Sequence, residues 1–267
     1  HDWKWFRAGL LHTDMEYLRR HWSGKKSSAP VLEKRHQKYF LRFSYTEEVT
    51  LSKTPVKDQL ICSVDLGINT DAVCSIMRSD GTVLDRKFIN FPSEKDRLSH
   101  VLGRIRRVQK EHGSKQIGSR WAYAKRLNTE LARKTARSIA EYAHENHADV
   151  IVFEYLEMKG KISGKKRQKL HLWKKREIQT MCEHKAHRYG IRVSRVCAWN
   201  TSRLAYDGSG SVSRDPKNHS LCVFQSGKQY NCDLSASYNI GARYWIREII
   251  KTLPETERSS LEAKVPA

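Results

Sequence analysis

Three strand-like runs each meet a carboxylate at one end, and no other feature limits the fold so tightly. Leu60-Ile61-Cys62-Ser63-Val64 closes on Asp65 and continues as Leu66-Gly67-Ile68-Asn69-Thr70. Asp149-Val150-Ile151-Val152-Phe153 closes on Glu154. Asp233 opens the stretch Asp233 to Gly241, where a helical period begins. An unpaired carboxylate costs several kcal/mol to bury, so a charge at the tip of an apolar strand is kept for function more often than for stability. Three such groups brought together repel one another unless a cation lies among them, and Mg²⁺ prefers oxygen donors of this kind. In-line displacement at phosphorus is the chemistry that uses such a site. Taken singly, each carboxylate is more often a solvated strand end or a helix cap. The set of three, with its context, carries the argument. Gly67, directly after Asp65-Leu66, permits a tight turn where a phosphate or metal can approach the backbone.

The order of elements sharpens the reading. Strands are expected over 60–66, 71–78 and 82–90, with Ser79-Asp80-Gly81 as the second turn. Helical patterns run over 92–112 and 118–147, then a buried strand over 149–154. A third helix is expected over 167–189, stopped by Gly190, and a fifth strand over 191–196. A Gly/Ser-rich irregular stretch, 206–231, leads into the helix near Leu234. Three meandering strands, helices, strand, helix, strand, helix is the order of an RNase H-like α/β fold, a mixed sheet with helices on its faces. In that fold the three carboxylate positions meet. Residues 1–58 are mixed, with a strand over 38–45, a loop over 23–30 and a linker over 52–58.

The formal net charge is +21, from 50 Lys and Arg against 29 Asp and Glu. That excess implies a polyanionic partner, with nucleic acid ahead of an anionic membrane surface. No apolar run approaches the ~18–20 residues that span a bilayer, and no signal peptide is visible. A cytoplasmic, nucleoid-associated prokaryotic protein is the expectation. The six cysteines show no C-x-x-C pair and read as reduced, small core residues. The opening at His1, with Trp3-Lys4-Trp5-Phe6, reads as the interior of a longer polypeptide or one part of a split chain.

Val64-Asp65-Leu66-Gly67-Ile68-Asn69, Val152-Phe153-Glu154 and the Asp233 to Ile240 stretch resemble the three motifs of a RuvC nuclease domain. More narrowly they resemble the TnpB nucleases of transposons and their descendants, the type V CRISPR effectors. Asn200-Thr201-Ser202-Arg203 resembles the TnpB stretch before the target-nucleic-acid-binding element. The resemblance covers about residues 59–250. It implies an end of a wedge or OB-like β domain over 1–58, a RuvC-like domain over 59–198, a degenerate binding element over 199–232, and the last RuvC motif with the C-terminal helix over 233–267. It also implies an RNA-guided DNA endonuclease with Asp65, Glu154 and Asp233 as catalytic metal ligands. Glu157 is the rival of Glu154, but lies past the apolar strand.

The chain departs from the family in two places. Many TnpB proteins carry two C-x-x-C pairs of a zinc ribbon before the last catalytic Asp. Here those neighbourhoods read Leu204 to Gly208 and Val223 to Gly227, and Cys197, Cys222 and Cys232 lack the spacing of a closed tetrahedral site. A zinc-ribbon-like hairpin without most of its ligands, holding no structural zinc, is therefore expected. Ser235 stands where the family often has Asn. Asn239 reads equally as a helix-surface amide or as a group orienting a metal-bound water.

Two stretches hold much of the charge. One contains Arg104, Arg106, Arg107 and Arg126; the other contains Lys159, Lys161, Lys165, Lys166, Arg167, Lys174 and Lys175. Such runs are usually solvated helix faces, but acids here are too few to neutralise them, and with Arg203 they are assigned to nucleic-acid phosphates. The segment 159–167 holds two glycines, reads as mobile, and in the relatives this place is a lid. Trp173, in the helix expected to follow, suits a core position or a base-stacking platform, the core being the commoner use; Trp121 and Tyr123 carry the same alternatives. The mechanism implied is two-metal hydrolysis, with Asp65 bridging two Mg²⁺ about 3.5–4 Å apart and no side-chain base. Guide RNA and target DNA, as a heteroduplex with a displaced strand, are the implied partners, and no membrane is. Two rivals remain: an RNA-guided repressor with a silent nuclease, and a guide-free RNase H-like nuclease or transposase.

Overall fold

The structure is a computed structural model that describes residues 4–5, 7, 9–35, 37–113, 117–155, 173–215, 218 and 220–262. The chain divides into two compact units, His1–Val49 and Thr50–Ala267. In the first, helix α1 (His12–Trp22) is followed by β1 (Lys26–Ser27), β2 (Val31–Arg35), β3 (Lys38–Arg42) and β4 (Tyr45–Thr46). Strands β2 and β3 form an antiparallel hairpin, and β1 pairs antiparallel with β4. Trp22 stacks on Tyr45 with ring centroids 5.1 Å apart. None of the described residues of this unit is buried. Helix α1 was not expected from the sequence.

The second unit begins at Thr50, so the stretch read as a linker is part of it. Ser52 donates its backbone N–H to the Gly190 carbonyl at 2.7 Å. Its hydroxyl and that of Thr54 both donate to Asp149, each at 2.5 Å. Beyond the 3-10 turn Val56–Asp58 come β5 (Ile61–Asp65), β6 (Ala72–Met77), β7 (Val83–Ile89), α2 (Pro92–His112), α3 (Gly118–Glu145) and β8 (Val150–Tyr155). After α4 (Lys175–Arg188) and β9 (Arg192–Cys197), the short strands β10 (Ser213–Arg214), β11 (Leu221–Val223) and β12 (Gln229–Asn231) form an antiparallel sheet. It leads into α5 (Cys232–Lys251) and α6 (Glu255–Glu262). The stretch expected to be irregular is therefore a small three-stranded sheet. Helix α4 starts at Lys175, so Trp173 and Lys174 precede it; the expected start at 167 lies outside the described residues.

The main sheet has the order β7-β6-β5-β8-β9. Its first two pairings are antiparallel and its last two parallel. This is the RNase H-like mixed sheet. Alternation along each strand sends side chains to two faces. Cys62, Val64, Cys74, Ile76, Ile151 and Phe153 meet α3 and α4 through Ala136, Ile139, Ala140, Ile178, Cys182 and Ala186. Ile61, Val73, Met77, Val150 and Val152 meet α5 through Leu234, Tyr238, Ile240, Tyr244 and Trp245. A Cβ on Gly241 would collide with the Met77 thioether, so that position lets α5 lie close to the sheet. The Ser75 and Ser237 hydroxyls hydrogen-bond at 2.6 Å across the same seam.

Candidate nuclease site

Strand alternation decides where the carboxylates go. Ile61 and Val150 face α5, so Asp65 and Glu154, each four residues further along and of the same parity, face α5 as well. The parallel register pairs Val64 with Phe153, which sets Asp65 and Glu154 next to each other at the carboxyl ends of adjacent strands. Asp233 lies in the first turn of α5, over that same end of the sheet. The Asn231 side chain caps this helix by accepting from the Leu234 N–H at 2.9 Å. A carboxylate there is also favoured by the helix dipole. Past Asp65 the chain turns sharply at Gly67, whose missing Cβ leaves room for the Thr70 carbonyl.

Asp65 feels the other two carboxylates. Burial holds the Asp65 carboxyl well above its ordinary range, and the charges of Glu154 and Asp233 push it further, while Arg214 opposes them. Asp233 is raised by burial, again against Arg214. Glu154 is raised by burial, with the Thr201 hydroxyl, Arg243 and Lys175 pulling the other way. Thr201 Oγ1 donates to Glu154 Oε1. Gln179 Nε2 donates to the Glu154 backbone carbonyl at 2.9 Å. The Asn239 amide donates to the carbonyls of Thr201 at 2.9 Å and Leu204 at 2.7 Å, so it clamps the turn that carries Thr201. That accounts for the side chain without a water to orient. Ser235 is buried, and its hydroxyl has no partner among the described residues.

These donors are all oxygens, burial raises all three, and they sit where two strands end and a helix begins. That chemistry suits a hard divalent cation. Among the described residues, however, no three of His, Cys, Asp or Glu are drawn together into a set that could hold a metal ion. Glu154 is engaged with Thr201 instead. Cys222 and Cys232 are buried with Ala205 and Phe224 inside the small sheet, and burial raises the Cys222 thiol to about 12. Cys197 lies apart, at the end of β9.

Arg214 is the residue that sequence reasoning missed. It sits on β10, donates to the Ser202 carbonyl at 3.2 Å, and faces both Asp65 and Asp233. Nothing in the local sequence marks it; only the folding of 204–231 into a sheet brings it over the carboxylates. The assigned phosphate contacts divide into three groups. Arg104, Arg106 and Arg107 on α2, Arg126 on α3 and Arg203 after β9 are exposed. Lys174 does not stand free: its ammonium donates to Thr129 at 2.7 Å and to Glu177. Lys175 is buried and faces Glu154, which corrects its reading as a phosphate contact. Lys159, Lys161, Lys165, Lys166 and Arg167, with Glu157 and the lid, lie outside the described residues. Trp173 is partly buried against the core, with Lys175 over its ring at 5.5 Å, which is the core reading. Trp121 packs into the seam of α2 and α3.

Residues 176–240 match the family model of the Cas12f1-like TNB domain. A TnpB-like protein of Aquifex aeolicus is 26% identical over 84% of this chain and 79% of its own length. A TnpB-like protein of Acidianus two-tailed virus is 28% identical over 69% of this chain, but 42% of its own length. A Cas12f1 solved with single guide RNA and target DNA matches 78% of this chain and 54% of its own, at 20% identity and a TM-score of 0.53. A CRISPR-Cas12f ternary complex matches 85% of this chain and 48% of its own, at 20% identity and a TM-score of 0.52. The chain thus spans about half the length of the Cas12f chains it resembles, and the likeness to them is one of fold.

Proposed function

Starting from a TnpB-like chain that shares the type V effector fold, we propose that it is the nuclease part of an RNA-guided DNA endonuclease. The observation that carries this is the convergence of Asp65, Glu154 and Asp233 at one end of the sheet, close enough for the other two to raise Asp65. Asp65, Glu154 and Asp233 are the groups that would hold Mg²⁺. Bound there, the metal supplies activation of the attacking water and stabilisation of the leaving oxygen. The chain's own residues do the rest. Thr201 fixes the rotamer of Glu154, and Asn239 fixes Thr201. Arg214 presents a guanidinium beside Asp65 and Asp233, where a phosphate oxygen of the strand to be cut would meet it. The exposed arginines of α2 and α3, with Arg203, hold the nucleic-acid backbone, while guide pairing selects sequence.

The test is cleavage of matched DNA by the chain purified with its co-purifying RNA. Cutting in Mg²⁺ that stops on chelation, and stops in Asp65→Ala and Asp233→Ala while nucleic-acid binding persists, is the expected result. Binding without cutting in the parent would favour the repressor reading. Cutting that is indifferent to the RNA would favour a guide-free nuclease.

A further inference from the structure

A second constellation lies on the α2–α3 pair and shares no residue with the carboxylate site. The two helices are held by Leu98, Leu102, Ile105, Ile117 and Ala124. Tyr123, next to Ala124, emerges half-buried at the rim of that seam. Two guanidiniums stand over its ring: Arg97 from α2 and Arg126 from α3, each 5.8 Å from the centroid. A cleft of about 610 Å³ opens on the Arg126 side, and one of about 490 Å³ on the Arg97 side, lined also by His100 and Arg104. Tyr123 borders both.

The charges here are not used up within the protein. Arg133 pairs with Glu130 at 3.1 Å, and Lys134 pairs with Glu94. Among the described residues, Arg97, Arg104 and Arg126 make no salt bridge. Like charges gathered on one ring repel, so the arrangement is favourable chiefly when an anion lies against it. The ring partly offsets this and does something further: a guanidinium stacked on an aromatic face loses little freedom when it binds, and its planar fork suits a phosphate. A single phosphate would answer one cleft. A nucleic-acid strand, with phosphates repeating along it, answers both.

We propose that Arg97, Tyr123 and Arg126 form a clamp for the sugar–phosphate backbone of a nucleic-acid strand, Tyr123 acting as the platform that orients the two arginines rather than as a base-stacking surface. The inference deepens the function proposed above and rests on its reading of the basic helices; it adds Arg97, which the charge runs did not single out, and gives Tyr123 a use that is neither a core position nor base stacking.

The experiment is fluorescence anisotropy of a short labelled single-stranded oligonucleotide with the full chain, across a salt series. Arg97→Ala/Arg126→Ala is expected to lower affinity about 10-fold or more and to flatten the slope of log K against log salt by about 1.4, since each neutralised phosphate of a single strand contributes about 0.7. Tyr123→Leu is expected to weaken binding about 3- to 10-fold with the slope unchanged, because both charges remain but are no longer pre-oriented. Tyr123→Phe is expected to bind within about 2-fold of the parent, because the ring is kept. Unchanged thermal melts would show that these surface variants fold; should the alanine pair melt early, Arg97→Lys/Arg126→Lys is read instead, with the slope kept and affinity lost. A parent that binds while the arginine variants bind equally, with the same slope, overturns the clamp alone. A parent that does not bind at all overturns the clamp and the nucleic-acid reading together.

Discussion

The face of the sheet covered by α3 and α4 is lined by Val64, Ile76, Ile151 and Phe153, with Cys62, Cys74 and Cys182 filling between them. The face covered by α5 carries Ser63 and Ser75, met by Ser237 of the helix, then Asp65 and Glu154 at its open end, met by Asp233 of the helix. Both faces are made by the same strands, one residue out of phase. The first face holds the fold through apolar contact. The second trades part of that contact for groups that water or an ion would otherwise solvate. The exchange is cheap for the serines, which find one another, and costly for the carboxylates, which burial raises despite the cations near them.

Substitution on each face should therefore read out differently. Asp65→Ala should lower cleavage by roughly 10³-fold or more, since several kcal/mol of transition-state stabilisation go with the metal ligand. Its melting temperature should not fall. Phe153→Ala, one strand over and on the other face, should do the reverse in kind. Phe153 is fully buried, and its loss should cost about 3–5 kcal/mol of stability in a denaturant titration. If Phe153→Ala left stability intact and Asp65→Ala unfolded the chain, the division between faces would be wrong.

The charge deficit at the open end gives a second contrast. Asp65 binds its proton more tightly folded than unfolded, because burial and its two neighbours raise it. Its ionised form is therefore a cost to the folded state, one that grows as pH rises from the ordinary carboxylate range through the raised value. In chelator, the parent should lose stability over that window, and Asp65→Asn should melt higher than the parent at neutral pH. Equal melts there would show that another group neutralises the site. Thr201→Val should act more weakly and only on function. It removes the donor to Glu154, and a hydrogen bond to a charged group is worth about 1.5–3 kcal/mol. Cleavage should fall about 10-fold, with more Mg²⁺ needed for half-maximal rate.

How much of this could be read from the chain differs between the same regions. Strands 61–65, 72–77 and 150–155 were legible because each is a short apolar run, 83–89 because the Ser79-Asp80-Gly81 turn precedes it, and the parity of Asp65 and Glu154 follows from alternation alone. The late start of the expected third helix, at Lys175, was not legible, since a basic stretch leads through Trp173 and Lys174 into the helix without a breaker. Nor was α1, a polar helix among whose residues none is buried. The small sheet 213–231 was hidden because its strands are two or three residues long and pair through turns rather than pattern. Arg214 was hidden with it. The uses of Lys174 and Lys175 depend on partners far off in sequence, Thr129 and Glu154, which no charge count reveals.

The smallest expected effect tests the serine seam itself. Ser75 Oγ and Ser237 Oγ lie 2.6 Å apart, and Ser237 Oγ also reaches the Leu234 carbonyl at 2.8 Å. Both residues are fully buried. Deleting one hydroxyl leaves the other without its partner in an apolar surround, and that penalty is about 1–3 kcal/mol; deleting both leaves no orphan and should be nearly neutral. Ser237 gives its one proton to the Leu234 carbonyl and so accepts from Ser75; Ser237→Ala should therefore cost more than Ser75→Ala, because it orphans the Ser75 donor, whereas removing Ser75 only empties a lone pair on Ser237. A double-mutant cycle in urea separates the cases: a coupling energy of about 1 kcal/mol or more, with Ser75→Ala/Ser237→Ala close to the parent, supports a polar seam held by mutual satisfaction. Costs that simply add would mean that the two hydroxyls act independently, and that apolar contact through Leu234, Tyr238, Ile240, Tyr244 and Trp245 holds α5 to the sheet.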